Sequence, residues 1–298
     1  MGRRKRGTAV NGWLAIDKPL GLTSTQVVGR VRRLTDACKV GHGGTLDPLA
    51  TGILPIALGE ATKAIPYVMD ATKVYDFTVR WGEATDTDDA EGSVTETAAY
   101  RPDAASIEAV LGDFTGAITQ VPPAYSAIKV DGQRAYDLAR DGQTVVLAAR
   151  QVTVERITLL GLPDADHGAF RVVCGKGTYV RALARDMARA LGTAGHLSAL
   201  RRTRVGPFNE GTMISLEKLE ELVHSAPAQK AVLPVETALD DIPALAVTEA
   251  EALRLRQGQA VHVPHRREGV IRIMADDVLI AIGDLKGGRI RPLRVFNL

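Results

Sequence analysis

The sequence predicts an α+β fold, one large domain followed by a small mostly-β unit, and three observations predict it. Period-two alternation marks strands, most clearly where Tyr75, Phe77, Val79 and Trp81 fall on one side of a segment. Apolar residues at helical spacing mark separate helices, as in Val27, Val28, Val31 and Leu34. The pattern loosens at residues 226–234 and resumes as short strands around one helix. A chain of 298 residues is long enough for one large domain and a small partner.

In order along the chain, residues 12–16 read as a short strand ended by Asp17-Lys18-Pro19, and Ser24 as the cap of the first helix. Residues 41–52 read as a glycine-rich loop and 53–58 as a buried strand. The alternating strand 74–81 runs into an acidic turn, and residues 93–97 return, which predicts a hairpin. Asp103 starts a helix through Leu111. Pro122-Pro123 open a turn-rich insert over residues 122–145. Residues 152–160 and 170–174 are strand-like, 179–191 form a helix stopped by Gly192, and 215–224 form another. In the terminal unit, 247–255 is helical and 270–274, 278–283 and 290–296 are strands.

The composition, 45% hydrophobic and 24% charged, is that of a soluble globular chain. Lys and Arg total 37 against 35 Asp and Glu, yet the charge is segregated. Between Arg171 and Arg204, Asp186 is the only acid among eight basic residues, which predicts a positive face towards phosphates. Glu83, Asp86, Asp88, Asp89 and Glu91 offset them in the total. Two cysteines without a CxxC pair point to a reducing compartment. The basic start, residues 1–11, reads as a flexible arm with no apolar stretch behind it, so neither a signal peptide nor a membrane span is expected. A cytoplasmic location follows.

The chemistry centres on GHGGTLDPLATG, residues 41–52. Gly43 and Gly44 permit positive φ and close backbone approach. Pro48 biases Asp47 towards an extended backbone and a fixed presentation of its side chain. Such placement suits a nucleophile or base, although the local pattern alone favours an Asx-type turn. Four further segments accompany it in order: GWLAIDKPLGLTS at 12–24, KVYDF at 73–77 with TDTDDAEG after it, PPAYSAIKVDGQRAYDLAR at 122–140, and GKGTYVRALARDM at 175–187 with HLSALRRTRVG at 196–206.

Together these segments resemble the TruB family, the bacterial tRNA pseudouridine-55 synthases. The resemblance implies a catalytic domain over residues 12–235 with a central mixed, mainly antiparallel sheet flanked by helices. It also implies a PUA-like RNA-binding domain over 245–298. The implied reaction is isomerisation of a uridine, flipped out of the T loop of tRNA, to pseudouridine. It needs no cofactor and no metal, and none is expected.

By the same resemblance Asp47 attacks or deprotonates the target nucleoside, Arg181 pairs with Asp47, and Tyr75 stacks on the uracil near C5. A guanidinium keeps a carboxylate ionised and oriented. Tyr179 and Leu200 lie against the flipped base, His42 fills the gap left in the RNA loop, and Lys129 belongs to an insert that grips RNA. The implied partner is tRNA, held at the T-arm stem-loop and, through Arg266, Arg267, Arg272, Arg289, Arg291 and Arg294 of the terminal unit, at the acceptor end. A monomer is expected.

Other readings account for less. A non-catalytic RNA binder would use the basic helix and terminal unit but has little need of Asp47. A small-molecule hydrolase would need a metal-binding carboxylate set or a phosphate loop beside Asp47. TDTDDAEG lacks EF-hand spacing and reads as a solvated turn. His262 and His265 have no evident third ligand.

Overall fold

The computed structural model describes residues 7–298 apart from 127, 131, 136–137, 139–142, 144 and 265–266. The first half of the chain contributes β1 (Gly12–Lys18), α1 (Ser24–Thr35), β2 (Val40–His42), β3 (Ala50–Leu58), α2 (Ile65–Asp70), β4 (Lys73–Trp81), β5 (Glu83–Thr85), β6 (Val94–Thr97), α3 (Ala104–Val110), β7 (Gly116–Gln120), β8 (Lys129–Val130) and β9 (Gln133–Arg134). Then come β10 (Arg150–Asp164), β11 (His167–Cys174), α4 (Val180–Ala190), β12 (Gly195–Val205), β13 (Phe208–Asn209), β14 (Met213–Ile214) and α5 (Leu216–Ser225). The terminal unit holds β15 (Ala244–Ala246), α6 (Glu249–Arg256), β16 (Val261–His262), β17 (Gly269–Ala275), β18 (Val278–Lys286) and β19 (Arg289–Val295). Among the described residues, no helix is long and apolar enough to cross a membrane.

Among the described residues, ten strands share one sheet in the order β14-β1-β3-β12-β4-β11-β10-β7, with β2 on β3 and β13 on β12. The β1–β14 and β3–β12 pairs are parallel and the other pairs antiparallel, as expected for a mixed, mainly antiparallel core. Alternation on β4 buries Phe77, Val79 and Trp81, and α4 covers them with Val180, Leu183, Ala184 and Met187, spaced as one helical face. A second half-core packs Leu14, Ile16, Leu54 and Ile56 against Val27 and Val31 of α1 and Leu216 and Leu219 of α5. Tyr75 and Leu200 touch both half-cores and so mark the seam between them. At that seam the parallel strands pair over three residues only, Leu200 with Ala50, Arg201 with Thr51 and Arg202 with Gly52. Gly52 has φ 94°, and a Cβ there would lie 2.3 Å from the Arg202 carbonyl oxygen, so only glycine lets the strands meet.

The terminal sheet runs β15-β17-β18-β19-β16, with α6 opened by a Thr248–Glu251 capping box. It is not a detached bead. Leu279, Ile282 and Phe296 share a core with Trp13, Ile53, Val205 and Phe208. The Lys63 ammonium also donates to the Val295 carbonyl at 2.7 Å.

Several local expectations are corrected. Thr23, not Ser24, caps α1, in a capping box with Gln26. Strand β4 does not hairpin with residues 93–97, because β11 and β12 occupy both of its edges; β6 pairs with β5 instead. The arm expected through residue 11 ends earlier: Thr8 bridges to Ala37 and Val10 is buried. Residues 226–234 are not a free linker throughout, since Leu233 exchanges both main-chain hydrogen bonds with Trp13, each at 2.8 Å.

Candidate active site

The loop carrying Asp47 is held from three sides. Ser24 clips Leu46 reciprocally, its hydroxyl accepting from the Leu46 N–H and donating to the Leu46 carbonyl, both at 2.9 Å. The buried Lys18 ammonium donates to the carbonyls of Pro19, Leu22 and Pro48 at 3.0, 2.7 and 3.3 Å. Buried Arg202 spreads its guanidinium over the carbonyls of Gly44, Thr45 and Ile53. Gly44 takes φ 130°, the positive value expected of this glycine pair. The Asp47 carbonyl accepts from Ala50 N–H at 3.1 Å, which closes a turn. Turn and catalyst are therefore not alternatives, because the turn uses the main chain and leaves the carboxylate free.

That carboxylate meets Arg181. Arg181 Nη2 lies 2.9 Å from Asp47 Oδ2, with the Asp47 side chain 42% exposed and that of Arg181 only 8%. The other arm, Nη1, lies 3.3 Å from Asp89 Oδ2, whose side chain is 4% exposed. The same guanidinium donates to the Thr87 carbonyl at 3.1 Å and the Tyr125 carbonyl at 2.8 Å. One α4 turn later, Arg185 holds Asp88 at 2.8 Å. Burial raises the Asp88 pKa, and Arg185 opposes that rise.

Asp47, Tyr75, Tyr179, Arg181 and Leu200 all line one cleft of about 420 Å³. Tyr75 reaches it from β4, at the seam of the half-cores. Burial pushes its phenol pKa up, and the positive charge of Arg202 offsets part of the rise, so the ring is a neutral face near pH 7. Tyr179 sits at the N-terminus of α4. Asp47 and Arg181 thus place an oriented carboxylate beside two aromatic rings and an aliphatic side chain, a site that can stack a planar, uncharged ring.

Two expected residues lie elsewhere. His42 is outside that lining and belongs to β2, not to a loop, opposite Ile56. Burial, then Arg202, lowers its pKa, and its Nδ1 has no hydrogen-bond partner among the described residues. Lys129 opens the β8–β9 ladder, and its side chain lies outside the described residues.

The acidic segment TDTDDAEG is not a solvated turn. Asp89 is buried, accepts from Thr87 and from the Glu91 N–H, and with Asp88 neutralises two arginines of α4. The basic run 171–204 is correspondingly less available to phosphates than expected. Arg171 pairs with Asp76, Arg201 with Asp17, and Arg202 is buried. In the terminal unit Arg272 pairs with Asp240, Arg266 lies outside the described residues, and Arg289, Arg291 and Arg294 are exposed.

Comparison with known proteins agrees along the chain. Residues 32–180 match the TruB family pseudouridylate synthase N-terminal domain, 181–240 the tRNA pseudouridylate synthase B C-terminal domain, and 243–296 the C-terminal domain of pseudouridine synthase II TruB. The tRNA pseudouridine synthase B of Rhodospirillum rubrum is 55% identical over 100% of both chains. That of Bradyrhizobium diazoefficiens is 57% identical over 97% of this chain and 86% of its own. Among solved structures, a Cbf5-Nop10-Gar1 complex aligns with TM-score 0.75 and 28% identity over 96% of this chain and 85% of the other. An H/ACA RNP bound to a substrate RNA containing 2'-deoxyuridine aligns with TM-score 0.76 and 25% identity over 100% and 92%. With likeness of this extent, the chain belongs to the TruB family of pseudouridylate synthases.

Proposed function

We propose that this enzyme converts uridine to pseudouridine at position 55, in the T loop of tRNA, with Asp47 acting as nucleophile or base on a flipped-out uridine. The observation that carries the reading is the Asp47–Arg181 pair at 2.9 Å, opening into a cleft that Tyr75, Tyr179 and Leu200 also line. The reaction breaks the bond from ribose C1′ to N1, turns the uracil, forms the bond from C1′ to C5, and exchanges the proton lost from C5 for one gained at N1. Its balance is an isomerisation, so an oriented carboxylate and a pocket that retains the detached base supply what it requires. Tyr75 offers a neutral stacking face, Tyr179 and Leu200 hold the base from the sides, and Arg181 keeps Asp47 aimed.

Support for tRNA as substrate comes from the relatives that carry tRNA in their names. His42, uncharged at neutral pH by virtue of its burial, suits a planar filler for the gap that a flipped nucleotide leaves. Lys129 and its insert grip the T-arm stem-loop, and the exposed Arg289, Arg291 and Arg294 meet phosphates nearer the acceptor end. The enzyme works as a cytoplasmic monomer. Incubation with an unmodified tRNA transcript, followed by mapping of pseudouridine, tests the reading. Product in the T loop is expected; product elsewhere would keep the reaction and overturn the substrate assignment.

A further inference from the structure

Strands β7 and β10 flank the insert, and the residues at its base, Gln120 and Arg150, are cross-strand partners. Both engage Tyr179. The Gln120 side chain, 1% exposed, accepts from the Tyr179 N–H at 3.1 Å and donates to the Tyr179 carbonyl at 3.3 Å. One amide thereby bonds both main-chain groups of a helix N-cap residue that has no side-chain cap bond of its own, sharing the carbonyl with the Leu183 N–H, which donates to it at 3.1 Å. The Arg150 guanidinium lies over the Tyr179 ring, 5.4 Å from its centroid, within cation–π range. The adjoining chain is tied to the same helix, Arg185 donating to the Val121 carbonyl at 2.9 Å and Arg181 to that of Tyr125 at 2.8 Å.

We propose that Gln120 and Arg150 are positioning residues that clamp Tyr179, the amide fixing its backbone and the guanidinium its ring. The proposal rests on the reading of Tyr179 as a residue that holds the flipped uridine. Nothing in the clamp needs to touch RNA. Its loss should leave the many RNA contacts intact and misplace the base in the reacting state, so the effect belongs in turnover and not in affinity. A phosphate contact at Arg150 would do the reverse.

The test uses the full-length enzyme and an unmodified tRNA transcript, reading single-turnover pseudouridine formation and equilibrium binding side by side. Arg150→Ala should slow turnover about tenfold, and affinity should stay within about twofold of wild type. Arg150→Lys should restore most of the rate, since an ammonium also sits over a ring. Arg150→Ala should cost nothing more in a Tyr179→Leu background. Gln120→Glu, which keeps the acceptor for the Tyr179 N–H but loses the donor, should slow turnover as well. A wild-type rate in both Arg150→Ala and Gln120→Glu, full additivity with Tyr179→Leu, or a loss confined to affinity would each overturn the clamp. If Tyr179→Leu itself turned over at the wild-type rate, the base-holding reading would fall, and the clamp with it. If Tyr179→Leu is slow and neither Arg150→Ala nor Gln120→Glu is, the clamp alone falls.

Discussion

Asp89 lies buried 3.3 Å from Arg181, and the guanidinium it neutralises is the one that reaches Asp47. One cation therefore serves a buried carboxylate and the exposed one proposed to react. Lysine cannot reproduce this, because a single ammonium lacks the planar fork that spans two carboxylates and two carbonyls. Arg181→Lys is expected to lower single-turnover pseudouridine formation by about 10²–10³-fold while tRNA affinity changes little. Arg181→Leu would strand the buried Asp89 charge and cost about 3–5 kcal/mol of stability, visible as a lower denaturation midpoint. Wild-type turnover in Arg181→Lys would sink the pairing role.

Asp47→Asn separates catalysis from binding. The amide keeps the size of the side chain and its place above the Asp47–Ala50 turn, which is made by main-chain atoms. It can neither add to a carbon centre as an anion nor take a proton. Pseudouridine formation should disappear and filter binding of tRNA should persist. Retained isomerisation would remove Asp47 from the chemistry and favour the reading as an RNA binder with its catalyst elsewhere.

Thr23 and Ser24 are neighbours with different duties, and paired variants distinguish them. Thr23→Ala removes a helix cap and should cost about 1 kcal/mol of stability with turnover intact. Ser24→Ala removes both hydrogen bonds to Leu46, one residue before Asp47, and should cost about 1–3 kcal/mol together with a clear fall in turnover. Equal turnover in the two variants would show that the clip does not position the loop.

Five residues scattered from Asp47 to Leu200 meet in one cleft, and all five were legible because each lies in a motif whose order matched a known family. The strands and helices were legible from periodicity and caps. Strand partners were not. Alternation says which side of β4 is buried, not which strands occupy its edges, so it cannot tell residues 93–97 from β11 and β12 as its partners. Buried charge was not legible either, because composition counts ionised groups without saying what neutralises them. A local signal did exist: Arg181 and Arg185 sit one helical turn apart, and Asp88-Asp89 form a doublet that matches them. The cap was also readable, since Gln26 follows Thr23 at capping-box spacing.

Lys18 links pH to the loop. Burial lowers its pKa from 10.5 to about 8, against the opposing fields of Asp47 and Glu91. The folded chain thus binds this proton less tightly than the unfolded chain, so the contribution of Lys18 to stability is constant below about pH 8 and rises from there to 10.5. Function runs the other way, because a neutral amine has too few N–H donors for the carbonyls of Pro19, Leu22 and Pro48. Turnover should therefore fall on the alkaline side while the fold is not weakened by this group. Lys73 is also lowered to about 8, so the assignment needs the ¹⁵N resonance of Lys18 Nζ itself. A titration of that resonance at 10.5 would remove Lys18 as the cause.

Deleting the terminal unit would be a clean test of RNA binding if that unit were an independent bead, but the shared core makes it a poor one. Truncation strips Leu279, Ile282 and Phe296 from Trp13 and Phe208, and each large apolar side chain left exposed costs about 1.5–3 kcal/mol. The truncated chain should lose stability before any effect on tRNA can be read. Surface charge is the better probe, because Arg289, Arg291 and Arg294 are exposed and lie outside that core. If they meet phosphates, the triple alanine variant should bind tRNA more weakly and flatten the plot of log affinity against log salt by about 2–3. The rate at saturating tRNA should be held, since the cleft is lined from the other sheet. An unchanged salt slope would show that these arginines make no ionic contact with the RNA.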